Sequence, residues 1–94
     1  MQAKSVYKVP NGKLLKISLH YDEIKHVVTD IQITGDFFAY PEEAIELIED
    51  AVRQTTLTKD HLLQTIERVI NEHHIEFIGV DAEGLTEGIM RCVT

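Results

Sequence analysis

One cysteine, Cys92, is all the thiol chemistry in this chain of 94 residues. A single thiol excludes an internal disulfide and any multi-cysteine zinc or iron–sulfur site built within one chain. Long apolar runs are missing as well. None approaches the roughly 18–20 residues of a membrane span, and the first residues lack the apolar core of a signal peptide. The expectation is a cytoplasmic protein with no membrane partner. Basic residues are the minority, 9 Lys and Arg against 16 Asp and Glu, for a net charge of −7. Binding a phosphate backbone needs a basic patch, so nucleic acid is not an expected partner. There is no glycine-rich phosphate loop and no serine elbow, and neither repeats nor low-complexity segments occur.

What remains is the composition of a folded domain, 44% hydrophobic and 27% charged. A chain this short makes one domain, here residues 1–94, and uses most of its apolar residues for one core. Its own stability is expected to be modest, a shortfall that partner binding commonly offsets.

Asn11-Gly12, between SVYKVP and KLLKISLHY, is a hairpin signal, because both residues tolerate the positive φ of a type I′ turn. Pro10 sits beside the turn, where a missing ladder donor does little harm. Leu15, Ile17, Leu19 and Tyr21 alternate with Lys16, Ser18 and His20, the pattern of a half-buried strand. Asp22-Glu23 marks the next turn. Val27, Thr29, Ile31 and Ile33 then alternate with Val28, Asp30 and Gln32 as far as Gly35. These segments predict a three-stranded antiparallel meander with one apolar face that needs cover.

The remainder predicts three helices. Pro41 suits a first helical position, and Glu42 and Glu43 suit the positive end of the helix dipole. Ala44, Ile45, Ile48, Ala51 and Val52 form an apolar stripe at helical spacing. A second helix starts after Thr58 as N-cap, stapled by Leu57 and Leu62, with a stripe of Leu62, Leu63, Ile66, Val69 and Ile70. A third starts at Asp81, stapled by Val80 and Leu85, with Leu85, Ile89, Cys92 and Val93 on its stripe. Gly84 and Gly88 weaken that helix by roughly 1 kcal/mol each relative to alanine. The fold class is therefore α+β, one face of the meander covered by about three helices.

Candidate chemistry is sparse. His73 and His74 are adjacent on a helix and point about 100° apart, so they do not converge on a metal. His20 and His26 flank the second strand turn without an evident third ligand. Cys92 falls on an apolar stripe, where a free cysteine acts as a small buried hydrophobe, and only Arg91 beside it favours a thiolate. Neither a catalytic residue nor a metal ligand is predicted. Charge is unevenly placed: Lys4, Lys8, Lys13, Lys16 and Lys25 precede a run of Asp30, Asp36, Glu42, Glu43, Glu46, Glu49 and Asp50. Such a distribution is either a solvated strand face followed by an acidic helix, or a bipolar surface that orients a partner.

The stretch GDFFAY, Gly35 to Tyr40, holds half of the six aromatics: Phe37, Phe38 and Tyr40. Successive residues of an extended segment point to opposite sides, so both phenylalanines reach one core only if the chain turns there. Otherwise one is exposed to water or to another protein. The alternation from Ile31 and Ile33 puts Phe37 on the core side. Gly35 is expected to let the chain leave the strand, and Asp36 to accept hydrogen bonds that hold the bend.

The run VYKVPNGKLLKISLHYDE, then IKHVVTDIQITGDFFAYPEEAIELIEDAV, then GVDAEGL, resembles the accessory domain of lipoate-protein ligases. The likeness extends from about residue 5 to residue 93, and ITGDFF followed by PEE is its most specific piece. It implies a small α+β accessory fold similar to sulfur-transfer scaffolds of the SufE and NifU type. It also implies a heterodimeric role as the separate small subunit of a two-part archaeal ligase. In that family the large catalytic subunit activates lipoate with ATP and magnesium to lipoyl-AMP, then passes lipoyl to a lysine of an acceptor domain. The accessory part makes adenylation possible and binds none of these cofactors alone. Gly35, Asp36, Phe37, Phe38 and Tyr40 are the expected partner interface. The alternatives are a SufE/NifU-like scaffold, which needs an exposed loop cysteine or three cysteines, and a generic interaction module.

Overall fold

A computed structural model describes residues 1–10 and 12–93. The meander forms as predicted. Strand β1 (Gln2–Lys8) pairs with β2 (Leu14–Asp22), which pairs with β3 (Val27–Gly35), all antiparallel in the order β1-β2-β3. The turn type predicted at Asn11-Gly12 lies outside the described residues because Asn11 is not among them. Around it, Val9 N–H donates to Lys13 O (3.1 Å) and Gly12 N–H to Val9 O (2.8 Å). The second turn is held by Asp22, whose carboxylate accepts from the amides of Ile24 and Lys25 (2.9 Å each). Those two backbone bonds hold its carboxyl below the usual pKa.

Leu15, Ile17 and Leu19 are buried, as the alternation of β2 requires. Strand β3 departs from its predicted alternation. His20 pairs with Asp30, but Tyr21 pairs with Val28, so Thr29 is an extra residue in a β-bulge. The bulge shifts the pleat by one position. Val28 is therefore fully buried, and Thr29 is exposed instead of lying on the face of Ile31 and Ile33.

Three helices cover the apolar face: α1 (Ala44–Val52), α2 (Lys59–His73) and α3 (Ala82–Met90). The predicted caps of the last two are present. Thr58 Oγ1 accepts from His61 N–H (3.4 Å), and Asp81 Oδ1 accepts from Gly84 N–H (2.7 Å). Helix α1 corrects the expectation for Pro41. The helix begins at Ala44, whose N–H donates to Pro41 O (3.0 Å) in a preceding turn, and the Tyr40–Pro41 peptide is cis. Leu62, Ile66, Ile48, Val52, Leu85 and Ile89 meet the sheet residues in one fully buried core.

Gly84 and Gly88 do more than weaken α3. A Cβ at Gly88 would lie 2.7 Å from Leu15 Cδ2 and 2.9 Å from Ile17 Cδ1. The missing side chain is what allows the helix backbone to approach the sheet. The approach is tied from the sheet side by Ser5 Oγ, which donates to Gly88 O (2.8 Å). Gly88 is thus a helix-on-sheet contact, while Gly84 lies against Val9 beside the hairpin and the Asp81 cap.

Beyond the predicted elements, β4 (Phe38–Tyr40) and β5 (Glu76–Ile78) form a separate two-stranded antiparallel sheet. It joins the segment after the meander to the link between α2 and α3. Helix α2 ends there with His74 in a left-handed conformation (φ 51°, ψ 46°), its N–H bonded to Ile70 O.

Candidate functional site, an exposed aromatic ribbon

Strands β4 and β5 position the aromatic stretch. The chain leaves β3 at Gly35, where a Cβ would collide with the Leu14 carbonyl oxygen, so close backbone approach is why glycine stands there. Asp36 holds the bend through its main chain: its N–H donates to Leu14 O (3.1 Å). Its exposed carboxylate accepts no hydrogen bond among the described residues, contrary to the role expected of it.

Past the bend the two phenylalanines diverge. Phe37 is half-buried and packs against the core, with its ring set edge-on to Phe77 at 6.4 Å and 71°. Phe38 points the other way and is 62% exposed. In the ribbon Phe38 pairs with Ile78, Ala39 with Phe77, and Tyr40 with Glu76. Period-two geometry puts Ala39 and Phe77 inward and Phe38, Tyr40, Ile78 and Glu76 outward. Tyr40 is 54% exposed and Ile78 58%. Gly79 then locks the end of β5 onto the hairpin, its carbonyl accepting from Lys13 N–H (2.9 Å).

Of the five residues expected at an interface, Phe38 and Tyr40 present side chains outward, Asp36 is exposed at the bend, and Gly35 and Phe37 shape and support it. Ile78 went unpredicted. Its signal was the short apolar run Ile75 to Val80, which carries no period long enough to declare a strand. Scattered exposed apolar residues need no explanation. Three large ones gathered from two distant segments onto one face make a candidate site, since aromatics are enriched at interfaces.

The rest of the surface offers little for catalysis. Cys92 lies in the turn after α3, half-buried, its Sγ 3.7 Å from Gly88 O, and burial pushes the thiol pKa up. That is the opposite of an activated nucleophile. A cavity of about 300 Å³ is lined by Tyr7, Pro10, Lys59, Asp81, Glu83 and Glu87 among others. Three carboxylates against one lysine give it the wrong sign for a nucleotide triphosphate, so these residues do not fit ATP. Among the described residues no three His, Cys, Asp or Glu side chains converge to hold a metal ion, and no helix is long and apolar enough to cross a membrane.

A meander backed by three helices, with an aromatic ribbon turned to solvent, defines a small α+β domain. The chain belongs to the family described as bacterial lipoate protein ligase C-terminus, which matches residues 8–89. It is also similar to lipoate-protein ligase A subunit 2 of Thermoplasma acidophilum, 37% identical over 53 residues. That alignment covers 56% of this chain and 53% of the relative, about half its length. Among solved structures, a chain from the bi-partite lipoate protein ligase and E2 lipoyl domain system of Thermoplasma acidophilum superposes with a TM-score of 0.81. Sequence identity is 26%, over 95% of this chain and 94% of that one.

Proposed function

We propose that this chain is the small, non-catalytic subunit of a two-part lipoate-protein ligase, required for the large catalytic subunit to form lipoyl-AMP from lipoate and ATP. Lipoyl then passes from the adenylate to a lysine of an acceptor domain. The observation that carries the reading is the near end-to-end likeness to a chain of a bi-partite ligase, together with family membership over residues 8–89. On this reading ATP, magnesium and lipoate are used by the complex, and the acidic cavity beside α3 is not a nucleotide site.

The role assigned to these residues is docking. Phe38, Tyr40 and Ile78 bury against the large subunit, with Glu76 at the rim of the patch. Docking favours the partner conformation in which its reacting groups are correctly placed, so the small subunit raises the rate without touching the reactants. The half-buried thiol of Cys92, with its pKa pushed up, gives no support to sulfur transfer.

Pyrophosphate release tests the reading. The purified chain with lipoate, ATP and magnesium should release none. Adding the large subunit should switch release on, and ready-made lipoyl-AMP should largely remove the need for this chain in transfer. Pyrophosphate from this chain alone, or equal dependence of both half-reactions on it, would overturn the assignment.

A further inference from the structure

The two edges of the meander differ. On β3, the outward amides of Ile31 and Ile33 are already capped: Asp30 Oδ1 accepts the first (2.9 Å) and Glu49 Oε2 the second (2.7 Å). Further along, Val28 exchanges bonds with Thr55 and Gln54. That edge is closed to another strand. The register then fixes what β1 presents. Ile33 turns its amide away from β2, so its partner Ile17 turns toward β1 and bonds Ser5. The reciprocal bonds between Met1 and Tyr21 follow the same phase. Lys4, Val6 and Lys8 therefore direct their main-chain groups outward, and no main-chain partner reaches them there among the described residues.

The same three residues place their side chains on the open face of the sheet, away from the helices. Val6 is 67% exposed between two lysines, and Lys16 lies directly across from it on β2. A shallow groove on this face runs past Lys4, Val6, Lys16, Ser18, Gln32 and Thr34, with no carboxylate in its lining. All four ion pairs among the described residues use arginine, so Lys4, Lys8 and Lys16 are without carboxylate partners. Lys8 Nζ donates only to Gly12 O (2.9 Å). A chain of net charge −7 thus keeps unpaired positive charge beside its open strand edge.

We propose that the β1 edge takes an extended acidic segment of another protein as a fourth strand, on a surface separate from the aromatic ribbon. Main-chain bonds to Lys4, Val6 and Lys8 supply the attachment. The spacing supplies the preference: acidic, apolar, acidic at alternate positions, set opposite lysine, valine, lysine. A second copy is the wrong occupant, because antiparallel self-pairing about Val6 sets Lys4 against Lys8 and repels.

The probe is a blocked heptapeptide, threonine alternating with glutamate, valine and glutamate, beside a twin with lysine in place of glutamate. Amide spectra of the labelled chain at millimolar peptide should show shifts at Lys4, Val6 and Lys8 with slowed exchange of those amides, and none at Phe38 or Ile78. The lysine twin should bind at least roughly tenfold more weakly, as should the acidic peptide to the Lys4→Glu/Lys8→Glu variant. Both lysines are exposed, and unchanged melting of that variant verifies its fold. Absence of shifts, equal binding of both peptides, or shifts confined to the helices overturns the proposal and leaves the lysines as guards of a bare edge.

Discussion

The sharpest consequence of the ribbon is that two adjacent phenylalanines should fail in different assays when cut to alanine. Phe37 packs beside Phe77 and the core residues, half-buried. Full burial of a phenylalanine makes truncation cost about 3–5 kcal/mol, so a half-buried one should cost about 2 kcal/mol. For a domain of this size that lowers the melting temperature by roughly 10 °C. Phe38 has most of its surface in water, and Phe38→Ala removes little that the isolated chain uses. Its melting temperature should stay within the spread of ordinary surface changes, about 0.5 kcal/mol. Against the large subunit the order reverses. Truncating a central aromatic anchor costs about 2 kcal/mol of binding, roughly thirtyfold in Kd. Thermal melts of the free chains and calorimetric titration with the large subunit separate the two effects. Equal loss of stability from both substitutions, with affinity untouched, would refute the division into a core ring and a docking ring.

Gly88→Ala should destabilise the chain by about 1 kcal/mol despite the better helix propensity of alanine, because the new methyl forces Leu15 and Ile17 apart; denaturant titration measures it. Glu49 has its carboxyl pKa raised by burial, so the folded form takes up a proton more readily than the unfolded chain. Stability relative to Glu49→Gln, which keeps an acceptor for Ile33 N–H, should therefore rise as pH falls from neutral through the raised pKa, as urea midpoints at several pH values will reveal. Glu49→Ala strips that acceptor and should lose about 1 kcal/mol at neutral pH. Cys92 should react slowly with thiol reagents in the native state, and Cys92→Ser should keep ligase activity in the reconstituted pair; fast labelling with lost activity would refute the buried-thiol account.

Much of this architecture was legible because local chemistry and global position agree. Thr58 and Asp81 announce their helices through caps that need only the next few residues, and Leu15 to Tyr21 alternate without interruption. What stayed hidden depends on contacts far along the chain. Nothing near Thr29 announces a bulge, which only the register between β2 and β3 reveals. Strands of three residues are too short for a period, so β4 and β5 become strands only through pairing each other. Pro41 looked like a helix start because proline at a first turn is common, yet the pairing of Tyr40 with Glu76 carries the ribbon up to it and α1 begins three residues later. The outward turn of Phe38 was one of two options in the sequence, and the pleat of β4 decided between them.

The pairing of Phe38 with Ile78 closes a loop around α1 and α2. The outward aromatic face is consequently a property of the finished molecule: no fragment lacking either β4 or β5 assembles it. Recognition by a partner then doubles as a test of completed folding. A substitution anywhere in the core lowers apparent affinity by the folded fraction it removes, and the bound partner returns stability to the whole chain by mass action. Core substitutions thereby couple assembly to folding, whereas a change at the exposed Phe38 bears on assembly alone.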